Sequence, residues 1–347
     1  MGNMTKRKPR IAVFFGGEAN TRDLSLETGR AVSTYMPRSQ YDVIPVHVNE
    51  QGEWQVPLGS LPASGSAERA MEMLQAAVPA LSPAQALPRL LSREPDAFFT
   101  LLRGVGGDDG RIQNLAETVG AANVGSPSLT CVTTADKQAC ARAIGMVALT
   151  PVSLPVPQRA EPEEAAATLP EDFSYPLFVK PNAAEGSTGV SRVEKAEDLP
   201  AAIAAAQAVG DVLLQEEQPG TEMTVTVFED HTGRIRVLPP TIIQPKVATY
   251  FDSLAKRRGG RVALVTAKTA EPETARAMEV ARDVYLALGC QGVATIDMVM
   301  HGNDVDVLEV NTVPTITAHT PLLGQLAAAG LHPSQFVDSV VQAALQR

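Results

Sequence analysis

Ile11 to Phe15 is a run of five apolar residues that stops on Gly16-Gly17, and a helix-periodic stretch, LSLETGRAVSTYM, follows. A short apolar run closed by glycines and succeeded by a period of 3.6 spells strand, turn and helix. Two more segments, YDVIPVHV (Tyr41 to Val48) and DAFFTLL (Asp96 to Leu102), have the β-branched and aromatic content of strands. Strands separated by helices pair in parallel through crossovers, so this part of the chain is expected to be α/β. At 347 residues the chain exceeds a single core of usual size, and two or three domains are expected.

Further along, the signals change. Gly59 to Leu91 is rich in alanine and proline, which suits variable helices and loops. Pro151 to Glu171 reads as a loop and a surface helix. LFVK (Leu177 to Lys180), VSRV and DVLLQEE (Asp211 to Glu217) read as strands, with a helix from Ala196 to Val209. The final third holds an amphipathic helix from Pro272 to Leu288, two strands around HGND (His301 to Asp304) and a closing helix near Pro333.

Charge narrows the partners. A formal net charge of −10 opposes general attraction to nucleic acid or anionic membranes, so any phosphate partner is expected to be small. There is no apolar run of about 18 residues, and the opening MGNMTKRKPR lacks the apolar stretch of a secretory signal, so a cytoplasmic place is expected. Cys131, Cys140 and Cys290 have no CxxC spacing and are expected to be buried free thiols.

The sharpest chemical signal is Asp297 in GVATIDMVM, with Glu309 and Asn311 in VDVLEVNT. All three offer oxygen, the donor that hard cations such as magnesium prefer. Glu309 and Asn311 share a strand face, and Asp297 lies opposite Glu309 if the reversal centres on Asn303. The rival reading is a solvated acidic hairpin, but Glu309 sits in the apolar run Val305 to Val310, where an unpaired carboxylate is costly. A second signal is VKPNAAEGSTGVSRV, where Lys180 ends a strand and Gly186, Ser187, Thr188 and Gly189 follow. Glycine backbone N–H groups and a lysine suit nucleotide phosphates, although the segment alone equally fits a hairpin turn.

Together with GGDDGRIQ, GSPSLT, TADK and EVNTVPTIT, these motifs run in the order found in ATP-grasp enzymes, and the chain resembles the D-alanine–D-alanine ligase family. The resemblance implies α/β and α+β domains: a Rossmann-like unit at 1–125, a central ATP-grasp subdomain at 126–213, and a C-terminal one at 214–347 carrying the metal and substrate site. By position it implies ATP with Mg2+ as two ions, or Mn2+, held by Asp297, Glu309 and Asn311. Lys137 and Lys180 would touch ATP phosphates, Gly186 and Ser187 belong to the phosphate lid, and Gln215, Glu216 and Glu222 serve adenine and ribose. YFDSLAKRRGG resembles the mobile loop over the active site, with Lys256 meeting the terminal phosphate and Arg257 replacing a tyrosine. A homodimer acting on small molecules is also implied.

The substrate half departs from the family pattern. Asp23 stands for a glutamate that binds the first substrate's amino group, and Arg103 replaces a histidine. Thr295 replaces an arginine that steadies the developing oxyanion, Thr315 replaces a glycine, and Thr320 matches a carboxylate-binding serine, with His319 beside it. The leading expectation is therefore an ATP-dependent C–N ligase joining an amino acid amine to a carboxylate or keto acceptor in a specialised biosynthetic pathway. The alternatives are the housekeeping D-alanine–D-alanine ligase, a ligase of the mycosporine-amino-acid type that phosphorylates an enolic or keto oxygen, and a non-catalytic ATP-binding protein.

Overall fold

The computed structural model describes residues 7–17, 21–59, 78–104, 106–184, 188–245, 262–267 and 271–347. The first sheet has five strands in the order β3-β2-β1-β4-β5, with β1 Arg10–Gly16, β2 Asp42–Val48, β3 Trp54–Gln55, β4 Ala97–Thr100 and β5 Ala122–Asn123. β1 pairs in parallel with β2 and β4, and β4 with β5, as the alternating pattern requires. The crossovers include α1 Arg22–Tyr35, α2 Pro83–Leu91 and α3 Arg111–Val119. Both sheet faces are covered, so β1 is apolar on either side: Ile11, Val13 and Phe15 enter one cluster, Ala12 and Phe14 another.

The remaining two sheets are antiparallel. β6 Ser153–Val156, β9 Val212–Glu216, β7 Leu177–Pro181 and β8 Ser191–Val193 form the first, in that order. Strand β6 corrects the expectation of a loop there. Its proline, Pro155, suits an edge strand that pairs on one side only, with β9. The six-stranded sheet orders β13 Val262–Thr266, β12 Thr241–Pro245, β10 Thr221–Glu229, β14 Val293–His301 and β15 Asp304–Asn311, with β11 Ile235–Val237 beside β10. α4 Ser128–Ala135 and α5 Lys137–Ile144 lead out of the first sheet, and α6 Pro162–Ala167 and α7 Leu199–Gln207 accompany the four-stranded one. α8 Pro272–Ala287 covers the six-stranded sheet through Ala277, Val280, Ala281 and Val284.

Helices α9 Pro321–Ala328 and α10 Pro333–Gln346 tie the ends of the chain together. Leu326, Phe336, Val340 and Val341 share a core with Ile11, Val13 and Phe99 of the first sheet, and Tyr41 Oη donates to Asp338 Oδ1 at 2.7 Å. Residue 213, the expected end of the central subdomain, falls inside β9, whose five residues all pair within the four-stranded sheet. Cys131, Cys140 and Cys290 are free and buried, and burial pushes each thiol up to about 12. Among the described residues no helix is long and apolar enough to cross a membrane.

His47 on β2 makes the first sheet acid-sensitive. Gln55 Nε2 donates to the Val78 carbonyl at 2.6 Å, which turns its Oε1 toward His47 Nδ1 at 2.7 Å, so Nδ1 carries the proton. Nε2 is buried with no hydrogen-bond partner among the described residues. Burial, helped by Arg22 and opposed by the Gln55 bond, holds the imidazole below its ordinary 6.5. The unfolded chain therefore binds the proton first as pH falls, and stability declines from about pH 6.5 down through the folded value. The urea midpoint is expected to drop between pH 7.5 and 5.5, and His47→Leu to flatten that drop. An unchanged slope in the variant would reject the assignment.

Candidate active site at the meeting of two cavities

The tip of the β14–β15 hairpin is a two-residue turn: His301 pairs Asp304, and Gly302 takes φ +63°. The reversal thus centres between Gly302 and Asn303, not on Asn303, and a regular ladder would send Asp297 and Glu309 to opposite faces. A bulge corrects it. Met298 pairs Val307 whereas Asp297 pairs Glu309, leaving Leu308 as the extra residue. The two carboxylates therefore face each other for a different reason than the turn alone suggested.

Their partners fix them. Thr224 Oγ1 donates to Asp297 Oδ1 at 2.6 Å, and Asn311 Nδ2 donates to Glu309 Oε1 at 3.0 Å. Lys137 Nζ stands 3.7 Å from Glu309 Oε2 and donates to the Ala184 carbonyl at 3.0 Å. Behind Thr224, the fully buried Gln325 donates to the Thr224 carbonyl at 2.7 Å and accepts from Thr226 Oγ1 at 2.5 Å. Lys180 donates to Gln215 Oε1, and Gln215 Nε2 donates to Ser153 Oγ at 2.8 Å.

Two cavities meet at this pair. The larger, about 630 Å³, lies between the two antiparallel sheets and is lined by Lys137, Lys180, Gln215, Glu216 and Glu222 as well as Asp297 and Glu309. The smaller, about 100 Å³, is lined by Thr21, Leu24, Arg103, Thr295, Asn311, Thr315 and Thr320, again with Asp297 and Glu309. The first is of the size that encloses a small organic ligand.

Not every expected residue joins them. Asp23 is exposed and outside both linings; Thr21, its neighbour two positions earlier, is the residue at the small cavity. His319 is exposed and also outside. Thr320 reaches the cavity, but its hydroxyl donates to the Thr315 carbonyl at 2.9 Å and accepts from Thr317 N–H at 3.1 Å, which holds the turn. Gly186, Ser187, Lys256 and Arg257 lie outside the described residues. Reading by residue type missed Thr21, Thr224 and Gln325. The helix phase was the available signal for the first: Thr21, Ser25, Thr28 and Val32 are buried one turn apart, and Asp23 is out of phase with them.

The donor set fits a divalent cation. Among the described residues no group of three or more His, Cys, Asp or Glu side chains is placed to hold a metal. What the site has is two half-buried carboxylates directly opposite each other, the oxygen donors that hard cations prefer, with the Asn311 amide beside them and Lys137 3.7 Å from Glu309. Because Thr224 orients Asp297, Thr224→Val is expected to weaken Mn2+ binding about 10- to 100-fold, as losses of supporting hydrogen bonds do. A Mn2+ titration checks this, and an unaltered affinity would count against it.

Comparison with known proteins agrees along almost the whole chain. The family models described as D-ala D-ala ligase N-terminus and C-terminus match residues 10–126 and 145–342. The D-alanine–D-alanine ligase of Streptomyces avermitilis is 28% identical over 98% of this chain and 95% of that protein. The vancomycin/teicoplanin A-type resistance protein VanA of Enterococcus faecium is 28% identical over 97% and 98%. The crystal structure of the VanG D-Ala:D-Ser ligase of Enterococcus faecalis superposes with a TM-score of 0.80 at 23% identity, covering 97% of this chain and 100% of that one. A Bacillus anthracis D-alanine–D-alanine ligase complexed with ATP gives 0.72 at 22%, covering 97% and 98%.

Proposed function

The chain belongs to the D-alanine–D-alanine ligase family, an ATP-dependent ligase of ATP-grasp fold that forms carbon–nitrogen bonds, and from that premise we propose that it couples D-alanine to a second small D-configured acid. Enzyme membership displaces the non-catalytic alternative. Full-length relatives named for D-alanine ligation also move that substrate ahead of a specialised pathway.

In this reading the nucleotide takes the larger cleft, with Lys137 and Lys180 beside its phosphates and Gln215, Glu216 and Glu222 toward adenine and ribose. A divalent cation held by Asp297 and Glu309 neutralises phosphoryl charge when bound. A carboxylate in the small cavity attacks the terminal phosphorus and ADP departs; the second substrate's amine then displaces phosphate from the acyl phosphate. Lys137 anchors Glu309 from the neighbouring unit and adds positive charge beside the transferred group. The observation that carries the proposal is that Asp297 and Glu309 line both cavities, so one pair of carboxylates faces donor and acceptor at once.

Phosphate release from Mg-ATP with D-alanine alone is expected, with D-alanyl-D-alanine as the product mass. No ATP consumption with any D-amino acid would overturn the reading. Dimerisation, implied by the family resemblance, is part of this proposal and is read by sedimentation velocity.

A second reading has its own support. Among the described lining residues of the small cavity, Asp297 and Glu309 are the carboxylates, and threonines occupy positions 21, 295 and 315. Among the described residues a substrate ammonium has no separate counter-ion there. That favours a hydroxy or keto acid as the phosphorylated partner, and a pooled panel of D- and L-amino acids with such acids, read by product mass, distinguishes the two.

A further inference from the structure

Arg103 follows β4 in the first sheet, yet its guanidinium ends on the other side of the small cavity, against β15. Nη2 donates to Asn311 Oδ1 at 2.8 Å, Nη1 donates to the Val313 carbonyl at 3.1 Å, and Nε stands 3.4 Å from Asp108 Oδ2. Asp108 is buried and accepts the Gly104 N–H at 2.9 Å, and Thr21 Oγ1 donates to the Arg103 carbonyl at 2.9 Å. Both the root and the head of the side chain are therefore held.

These contacts settle which way Asn311 points. A guanidinium only donates and a carboxylate only accepts, so the amide oxygen must face Arg103 while Nδ2 serves Glu309 at 3.0 Å. That oxygen is the atom Asn311 would offer to a cation. A divalent ion on the same oxygen would stand on the order of 4 Å from a positive charge that cannot be lost by deprotonation. Swinging Arg103 away would break its contacts with Asn311, the Val313 carbonyl and the buried Asp108 together, and losing several charge-assisted contacts at once is costly.

We propose that the Arg103 guanidinium takes the place of one of the two divalent cations that the family resemblance implies, so that Asp297 and Glu309 would hold a single ion. This rests on the reading of those carboxylates given under Proposed function. Arg103 is then a fixed cation of the active site that also sets the orientation of Asn311, rather than a reader of substrate identity.

The test counts ions. The full-length protein is dialysed against Mn2+ and a non-hydrolysable ATP analogue, with electron paramagnetic resonance to detect exchange between paired ions. One tightly held Mn2+ per chain, without exchange broadening, is expected. Arg103→Gln keeps a donor for Asn311 but removes the charge, and is expected to bind two ions with an exchange-coupled spectrum. Two ions in the unsubstituted protein overturn the proposal, whether or not the variant folds, and so does a single ion in a folded variant. Phosphate release from hydrolysable Mg-ATP with D-alanine, measured on a portion of the same protein kept free of the analogue, separates the cases: turnover with two bound ions defeats this inference alone, whereas no bound Mn2+ and no turnover defeat it together with the ligase reading.

Discussion

Asp297→Asn is expected to lower ATP-dependent phosphate release by about a hundredfold to a thousandfold, roughly 3–4 kcal/mol of transition-state stabilisation. The substitution is nearly isosteric, and the amide oxygen still accepts the Thr224 hydroxyl that now reaches Asp297 at 2.6 Å. What it removes is one of the two negative charges lining both cavities. The same charge opposes Glu309 across the β14–β15 ladder, and like charges directly opposite destabilise a sheet by a few tenths of a kcal/mol to about one. Without metal, the variant's melting temperature is therefore expected to rise by about 1–3 °C. Added Mg-ATP should stabilise it less than it stabilises the unsubstituted protein. A variant that turns over within threefold of the original would remove Asp297 from the chemistry altogether, and a variant that melts lower without metal would contradict the repulsion argument.

This pairing also shows how far residue order reaches. Oxygen-bearing side chains on two adjoining strands were legible from Asp297, Glu309 and Asn311 alone, because their types and alternation carry the information. The turn between them was not, since Gly302-Asn303 offers two ways to reverse, and the bulge at Leu308 leaves no mark in an apolar run. Strands of the first sheet were legible because apolar residues on both faces read as unbroken runs. Strand β6 was hidden by its own Pro155 and by Pro151 and Pro157 on either side, which signal a loop unless the strand is known to lie at an edge. The substrate half was least legible. Asp23 was carried over from the position of a family glutamate, whereas helix phase turns it to solvent, and the partner of Arg103 lies 208 positions away at Asn311. Contacts made across separate sheets have no local pattern to betray them.

Gly16→Ala is expected to lower stability by about 3–5 kcal/mol as measured by the urea midpoint. Gly16 ends β1 at φ +103°, and a Cβ there would lie 2.2 Å from the Val48 carbonyl oxygen and 3.0 Å from the His47 ring. The clash is with backbone, and that backbone is anchored on both sides. Gly16 N–H donates to Ser25 Oγ at 2.9 Å, Ser25 Oγ donates to the Leu101 carbonyl at 2.7 Å, and Gly17 N–H donates to the Val48 carbonyl at 2.8 Å. Ser25 is fully buried, so relief would require β1, β2 and the start of α1 to separate around a desolvated hydroxyl. Gly52→Ala supplies the control: its φ is +76° with nothing within 4 Å of the added carbon, so it tests the left-handed backbone alone and should cost about 1 kcal/mol. The difference between the two variants isolates the steric part. If Gly16→Ala costs no more than Gly52→Ala, then β1 and β2 yield to one another more readily than their hydrogen bonds imply. The positions of Thr21 and Arg103, both set from this corner of the sheet, would then be softer than the small cavity requires.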